Sequence, residues 1–351
     1  MMRLPLFRYM APKTAHEVAT ILADHAPGEA MVMAGGTDLL PNMKRRQQTP
    51  KIVVSLAHVD ELRHATNGNG MVLGAGLTLT QLASDPRVKK HYAGLYQAAS
   101  QIATPHLRNM GTLGGNVCLD TRCNYYDQNY EWRQAIGFCM KKDGATCWVA
   151  PSSDHCLAVS STDTAPMLMA LGANVTLVSK KDGPRELALT DLYRNDGMLY
   201  LTRRPDEVLT HVLLPPAAGW SSVYWKLRRR GSFDFPVLSV AAAVKLGKKG
   251  AIEDARLVLG AVSSRPMEAK DAAALLIGKS LKDDATIAAA ADAAFGHAKP
   301  MDNTDFVLHW RKRVVREFVT YALRELRGDD MRETRRKYGR QDLVQVMPAT
   351  D

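Results

Sequence analysis

GTLGGNVCLDTRCNYYDQNYEWRQAIGFCMKKDGATCWVAPSSDHCLAVSSTD, residues 111–163, carries all five cysteines of this 351-residue chain. Four of them, Cys123, Cys139, Cys147 and Cys156, are separated by gaps of fifteen, seven and eight residues. A glycine-rich turn, Gly111 to Asn116, leads into the stretch, and Asp163 leads out of it. Glycine loop, cysteine-bearing insert and acidic residue, in that order, read as a nucleotide-cofactor site with a metal centre inserted beside it.

Four thiolates can complete an iron–sulfur cluster or a structural zinc site. Zinc sites of the ribbon and finger types bring cysteines in close CxxC pairs, and none occurs here. The wide gaps suit a loop wrapped around a larger object. Iron–sulfur therefore ranks over zinc, with free structural cysteines as a third reading. Trp132, Phe138 and Trp148 are expected to pack around the site, as shield or as ordinary core. Cys118, directly after Gly-Gly-Asn, reads as a small buried hydrophobe beside a cofactor.

Upstream, Thr14 and Glu17 have capping-box spacing, and Val18, Ile21 and Leu22 share one helical face. Residues 30–34 (AMVMA) suit a buried strand and run straight into Gly35-Gly36-Thr37-Asp38. Glycines after a strand allow positive φ and close approach of a ligand to backbone. Successive N–H groups in such a turn form an anion site suited to pyrophosphate. One such loop is an ordinary strand-to-helix turn; two, about eighty residues apart, can close on the same phosphates. Thr112 and Asn116 are expected to add side-chain hydrogen bonds.

Further strands are expected at 51–56, 71–76, 174–179 and 209–214, and helices at 94–103 and 162–171 with Gly172 as C-cap. Asp163 reads equally as a helix cap or as a ribose or phosphate ligand. Residues 215–219 (PPAAG) read as a linker. Beyond it, strands at 223–227, 237–246 and 256–262 precede helices at 269–277, 286–295 and 304–324, an α+β pattern. The charged tail, 327–351, is expected to be extended or disordered. No repeats or low-complexity segments occur.

The formal charge is +10, with short basic runs at Lys44-Arg45-Arg46, Arg228-Arg229-Arg230 and Arg311-Lys312-Arg313. These lie among many acids without a nucleic-acid-binding signature and read as solvated faces. Between Cys123 and Cys156, three Lys/Arg face four Asp/Glu, so the insert does not favour an acidic carrier. Arg3 and Arg8 precede no sustained apolar run, so no signal peptide is expected. No eighteen apolar residues run together, so neither is a transmembrane helix. A cytoplasmic protein without structural disulfides is the expectation.

The runs VMAGGTDLLP (32–41), RNMGTLGGNVC (108–118), SSTDTAPMLMALGA (160–173) and YWKLRRRGSFDFPVLSVAA (224–242) together resemble the FAD-binding medium subunit of the molybdenum hydroxylases. The resemblance spans residues 1 to about 325. It implies an α+β fold with a two-part FAD-binding domain at 1–218 (subdomains 1–57 and 58–218, insert 119–157). A C-terminal domain with a three-stranded sheet and helices follows at 219–326. It implies that Val32, Met33, Ala34, Gly35, Gly36, Thr37, Asp38 and Leu39, with Thr112, Leu113, Gly114, Gly115 and Asn116, surround the FAD pyrophosphate. Ala103 would lie near the flavin, Asp163 near its ribityl or ribose part and Lys226 near the isoalloxazine ring. Read without the family, Lys226 is a surface lysine on a strand.

Most members lack the cysteine insert, which resembles that of the 4-hydroxybenzoyl-CoA reductase β subunit. That implies a [4Fe-4S] cluster on Cys123, Cys139, Cys147 and Cys156. It also implies reduced ferredoxin as donor, a small [2Fe-2S] subunit and a large molybdenum-cofactor subunit as partners, and no catalytic acid or base in this chain. The alternative is the FAD subunit of another molybdenum hydroxylase oxidising an aldehyde or heterocycle. From a different class stands a basic zinc-containing nucleic-acid-binding protein, which iron and flavin analysis would separate.

Overall fold

The computed structural model describes residues 3–247 and 250–339. Three sheets organise them. The first is parallel, with β1 (Arg8–Met10), β2 (Ala30–Met33) and β3 (Ile52–Ser55) in the order β1-β3-β2. The central β3 (IVVS) is buried throughout, as expected of a β-branched strand between two neighbours. Thr14 Oγ1 accepts from Glu17 N–H to cap the helix Ala15–Ala23, whose Val18, Ala19 and Leu22 pack on Ile52 and Val54. Glu17 reaches back to Lys13 N–H rather than to the cap residue.

The second sheet is antiparallel: β4 (Ala65–Gly68), β5 (Gly70–Gly74), β6 (Asn174–Ser179), β7 (Gly183–Ala188) and β8 (Val208–Leu214), in the order β4-β5-β8-β6-β7. Its core partner is the helix Thr164–Leu171, buried at every position and closed by Gly172 at φ +75°. The third sheet orders β9 (Trp220–Leu227), β10 (Leu238–Leu246), β11 (Ile252–Gly260) and β12 (Met267–Glu268) as β12-β11-β10-β9. Three strands were expected there; the two-residue β12 makes a fourth. Both faces of this sheet are covered. Val240, Ala242 and Val244 face Phe318, Val319 and Leu323, while Ala241 and Ala243 join the core of the helix Thr164–Leu171.

Three expectations change. The helix expected at 304–324 is two, Leu308–Arg313 and Val315–Arg327, meeting at Val314. Arg311 is fully buried rather than solvated; its guanidinium donates to the carbonyls of Val237 (3.0 Å), Met301 (2.9 Å) and Ala261 (2.6 Å). The tail is helical at Arg332–Gly339, where Arg335 pairs with Glu325 (2.6 Å) and lies over the Trp225 ring. Leu343 to Val346 lie outside the described residues. Among those described, no helix is long and apolar enough to cross a membrane.

Candidate functional site: a dinucleotide cavity beside a cysteine pocket

A cavity of about 1160 Å³ opens between the first two sheets, larger than the range usual for drug-sized ligands. Val32 through Leu39 line it from one side, and Thr112, Gly114, Gly115 and Asn116 from the other. Ala103 and Asp163 also line it. Leu113 does not; it is fully buried in the second-sheet core.

The two glycine loops differ in what their backbones offer. Among the described residues, the N–H groups of Gly35, Gly36, Thr37 and Asp38 donate to no carbonyl or side chain. Gly36 sits at φ +72°, in the left-handed region that favours glycine, and all four residues line the cavity. In the second loop, Gly111 donates to Leu107 O, Leu113 to Leu77 O, Gly114 to Ala75 O and Gly115 to Thr112 Oγ1. That loop forms a short helix, Leu113–Val117, rather than an open turn. Free donors are thus concentrated in the first loop, and the second supplies shape.

The side chains expected to reach phosphate are partly engaged elsewhere. Asn116 Oδ1 accepts from Thr162 Oγ1, Thr164 N–H and Thr164 Oγ1 at 2.7–3.0 Å, tying the second loop to the buried helix. Asp38 pairs with Arg122, whose Nη1 also donates to Asn42 (3.0 Å) and Asp127 (3.2 Å). The first glycine loop is thereby fastened to the insert.

Asp163 occupies the N-cap position but makes no capping bond. Thr162 Oγ1 and Asn116 Oδ1 take the first helical N–H groups instead. The Asp163 carboxylate accepts from Tyr224 O–H (2.7 Å) and from Lys226 Nζ (3.0 Å). Lys226 is neither a surface lysine nor a cavity wall. Its side chain is fully buried, and it donates to Gln101 O (3.2 Å). Burial pushes the Lys226 ammonium below its usual range, with Asp163 opposing. Ala103, two residues beyond that anchored carbonyl, has φ +45°, costly for a residue with a Cβ, and its carbonyl accepts from Phe233 N–H (3.0 Å). Lys226 therefore braces from behind the segment that presents Ala103 to the cavity.

Several wall residues carried no local signal in the sequence. Met198 to Tyr200 and Arg203 enter from an irregular loop, and Phe233 to Phe235 from the turn between β9 and β10. Lys44 and Arg45, read as a solvated face, also line the cavity.

Next to it, the four insert cysteines are free and buried, each at most 7% exposed. Cys123, Cys139 and Cys156 belong to one packed cluster with Tyr126 and Ala158, and Cys147 lies within electrostatic reach of Cys156. Burial pushes the Cys123 thiol up to about 12 and the Cys156 thiol up to about 11. A metal centre would supply the positive charge that a buried thiolate lacks. Among the described residues, no three ligand side chains converge as they would on a single ion. Trp132 and Trp148 are 40% and 39% exposed, and the aromatic buried with the cysteines is Tyr126, at 3%. Cys118 is half-buried and lines the cavity instead.

A cavity of this size between two glycine loops, in a chain built from these sheets, has its counterpart in known flavoprotein domains. The FAD-binding domain of molybdopterin dehydrogenases matches residues 5–217, and the C-terminal domain of the carbon monoxide dehydrogenase flavoprotein matches 222–326. The chain belongs to the FAD-binding subunits of the molybdenum hydroxylase family. It is 31% identical to the aldehyde oxidoreductase FAD-binding subunit PaoB of Escherichia coli, over 90% of this chain and 98% of that one. It is 29% identical to the nicotinate dehydrogenase FAD-subunit of Eubacterium barkeri, over 78% and 81%. Among solved structures, carbon monoxide dehydrogenase from Hydrogenophaga pseudoflava aligns with a TM-score of 0.74 at 25% identity, covering 92% of this chain and 98% of that one. Quinoline 2-oxidoreductase from Pseudomonas putida 86 aligns at 0.73 and 26%, covering 93% and 99%. These matches support the family and not the 4-hydroxybenzoyl-CoA reductase subtype.

Proposed function

We propose that this chain is the electron-transfer subunit of a molybdenum enzyme that oxidises an aldehyde or a heterocycle. The observation that carries the reading is the near end-to-end likeness to an aldehyde oxidoreductase FAD-binding subunit, joined to a cavity with four free backbone donors on one loop. The reductive reading, with ferredoxin as donor, yields to this alternative, because the relatives reported above are named for aldehyde, nicotinate, carbon monoxide or quinoline chemistry. Those relatives that are named subunits or chains belong to larger enzymes. A large molybdenum-cofactor subunit and a small [2Fe-2S] subunit are accordingly the proposed partners.

Within this chain, the N–H groups of Gly35 to Asp38 hold the FAD pyrophosphate, and Asn116 fixes the opposite loop. Ala103, Phe233 and Phe235 wall the cavity, and Asp163 with Lys226 sets their backing. Cys123, Cys139, Cys147 and Cys156 hold a [4Fe-4S] cluster. Three of these cysteines pack in one cluster and Cys147 lies within electrostatic reach of Cys156; four thiolates are the ligand set that a cubane cluster takes. When bound, FAD takes electrons singly or in pairs and the cluster takes one at a time; the chain positions and tunes both. No side chain here serves as general acid or base.

Coexpression with its partner subunits should give a complex that contains FAD and reduces an artificial acceptor with an aromatic or aliphatic aldehyde or an N-heterocycle. Oxidation of a reduced donor by 4-hydroxybenzoyl-CoA, with no aldehyde or heterocycle turnover, would reverse the assignment.

A further inference from the structure

Between the cysteine pocket and the cavity lies one ion pair that the proposed function leaves unused. Lys141 Nζ is 2.8 Å from Asp120 Oδ1, and both side chains are nearly buried, 6% and 8% exposed. Lys141 also donates to Thr121 Oγ1 and to Gly197 O, each at 2.7 Å, so its three protons are all directed. Its charge lies between two rings: Tyr126, packed with the cysteines, 4.9 Å from the centroid, and Tyr200, a cavity wall, at 5.5 Å. Asp120 lines the cavity and accepts from Gln48 (3.3 Å) and from Tyr126 O–H (3.3 Å). Lys141 follows Cys139 by two residues, and its charge lies over Tyr126 within the cysteine cluster, which places it on the thiol side of the pair.

We propose that the Lys141–Asp120 pair is a charged partition that sets the potential difference between a redox centre on the cysteines and the flavin. The pair is a dipole with its positive end toward the thiols and its negative end on the cavity wall. In a poorly screened interior, a fixed positive charge stabilises an added electron nearby, and a fixed negative charge opposes one. Held as placed, the pair raises the potential of the cysteine-bound centre and lowers that of the flavin. It thereby biases electrons from the flavin toward the cysteines. Lys141 and Asp120 are positioning residues; neither accepts the electron.

The inference rests on the cluster reading above, and the experiment separates the two. In the purified holoenzyme, iron, labile sulfide and FAD are counted, and midpoint potentials of flavin and cluster are measured for three variants. Lys141→Met should move both potentials negative, the cluster's more. Asp120→Asn should move both positive, the flavin's more. The larger shift in each should be at least tenfold in the reduced-to-oxidised ratio, about 59 mV for a one-electron couple. Lys141→Arg should restore the wild-type values. A purely structural role would not shift potentials in opposite senses. Cofactor-replete variants with unmoved potentials, or the two substitutions Lys141→Met and Asp120→Asn shifting the potentials in the same sense, would overturn the partition alone. A wild-type enzyme without iron would overturn the cluster reading and the partition with it. Should Lys141→Met lose its cofactors, the isosteric Asp120→Asn still decides.

Discussion

A methyl group placed on Gly35 would overlap the carbonyl oxygen of Met110. The two glycine loops therefore meet backbone to backbone, and the cavity floor is a joint between segments about seventy-five residues apart in sequence. Gly115 is different: a Cβ there meets only Thr112 Oγ1, at 3.1 Å.

That contrast separates two variants. Gly35→Ala should destabilise the chain by about 1–3 kcal/mol, the usual cost of overpacking, and lose FAD as the joint opens. Gly115→Val should lose FAD while the melting temperature of the flavin-free chain stays near wild type. Full flavin occupancy in Gly115→Val would remove the second loop from the FAD site.

Asp163 and Lys226 face each other in a dry interior. Removing one partner leaves a buried charge alone, at about 3–5 kcal/mol. Lys226→Met and Asp163→Asn should each lower stability on that scale, and the double variant should lose much less than their sum. Urea melts of the four-member cycle test this; additive losses would mean that the two residues act independently.

Glu207 supplies a pH signature. Burial pushes its carboxyl up, but Arg185 and the N–H of Arg204 outweigh that and hold it below the usual range. A carboxyl lowered in the folded state contributes stability above its unfolded value of about 4.3. That contribution is lost as pH falls through the folded value. Glu207→Gln should lower stability at neutral pH and flatten its decline below about pH 4. Unchanged acid slopes would show that this carboxyl titrates alike in both states.

For the insert, Ser at Cys123, Cys139, Cys147 or Cys156 should each remove about four irons and the matching sulfide per chain, with flavin retained. Cys118→Ser should remove none. About one zinc per chain and no sulfide would replace the cluster with an ordinary metal site. Cluster loss from Cys118→Ser alone would mean that the ligand set is misassigned.

Strands with dense β-branched residues, β3 and β6 among them, were legible in the sequence, as were the helix capped by Thr14 and the αL stop at Gly172. β4 (ATNG) and β7 (GPRELA) were not, because edge strands need little apolar content when their pairing is set by a neighbour. The glycine loops were legible as turns beside a strand, but not which loop keeps its donors free. That depends on carbonyls of Ala75 and Leu77, brought there by tertiary packing. The burial of Arg311 and Lys226 was illegible for the same reason. A basic residue looks solvated until three carbonyls, or one aspartate, arrive from elsewhere.

The insert is fastened at both ends of the molecule. Gln47 Nε2 donates to Tyr126 O, and Arg133 Nη2 to the carbonyls of Arg45 (3.3 Å) and Arg46 (3.1 Å). On its other side, Asn124 N–H donates to Asn303 O (2.9 Å), and Asn303 Nδ2 to Leu157 O (2.6 Å). It works as a clasp between the loop that follows the first glycine turn and the carboxy-terminal domain. A chain with a slack clasp would open both seams at once, so the resistance of the insert to limited proteolysis reads how firmly the two halves of the molecule are joined.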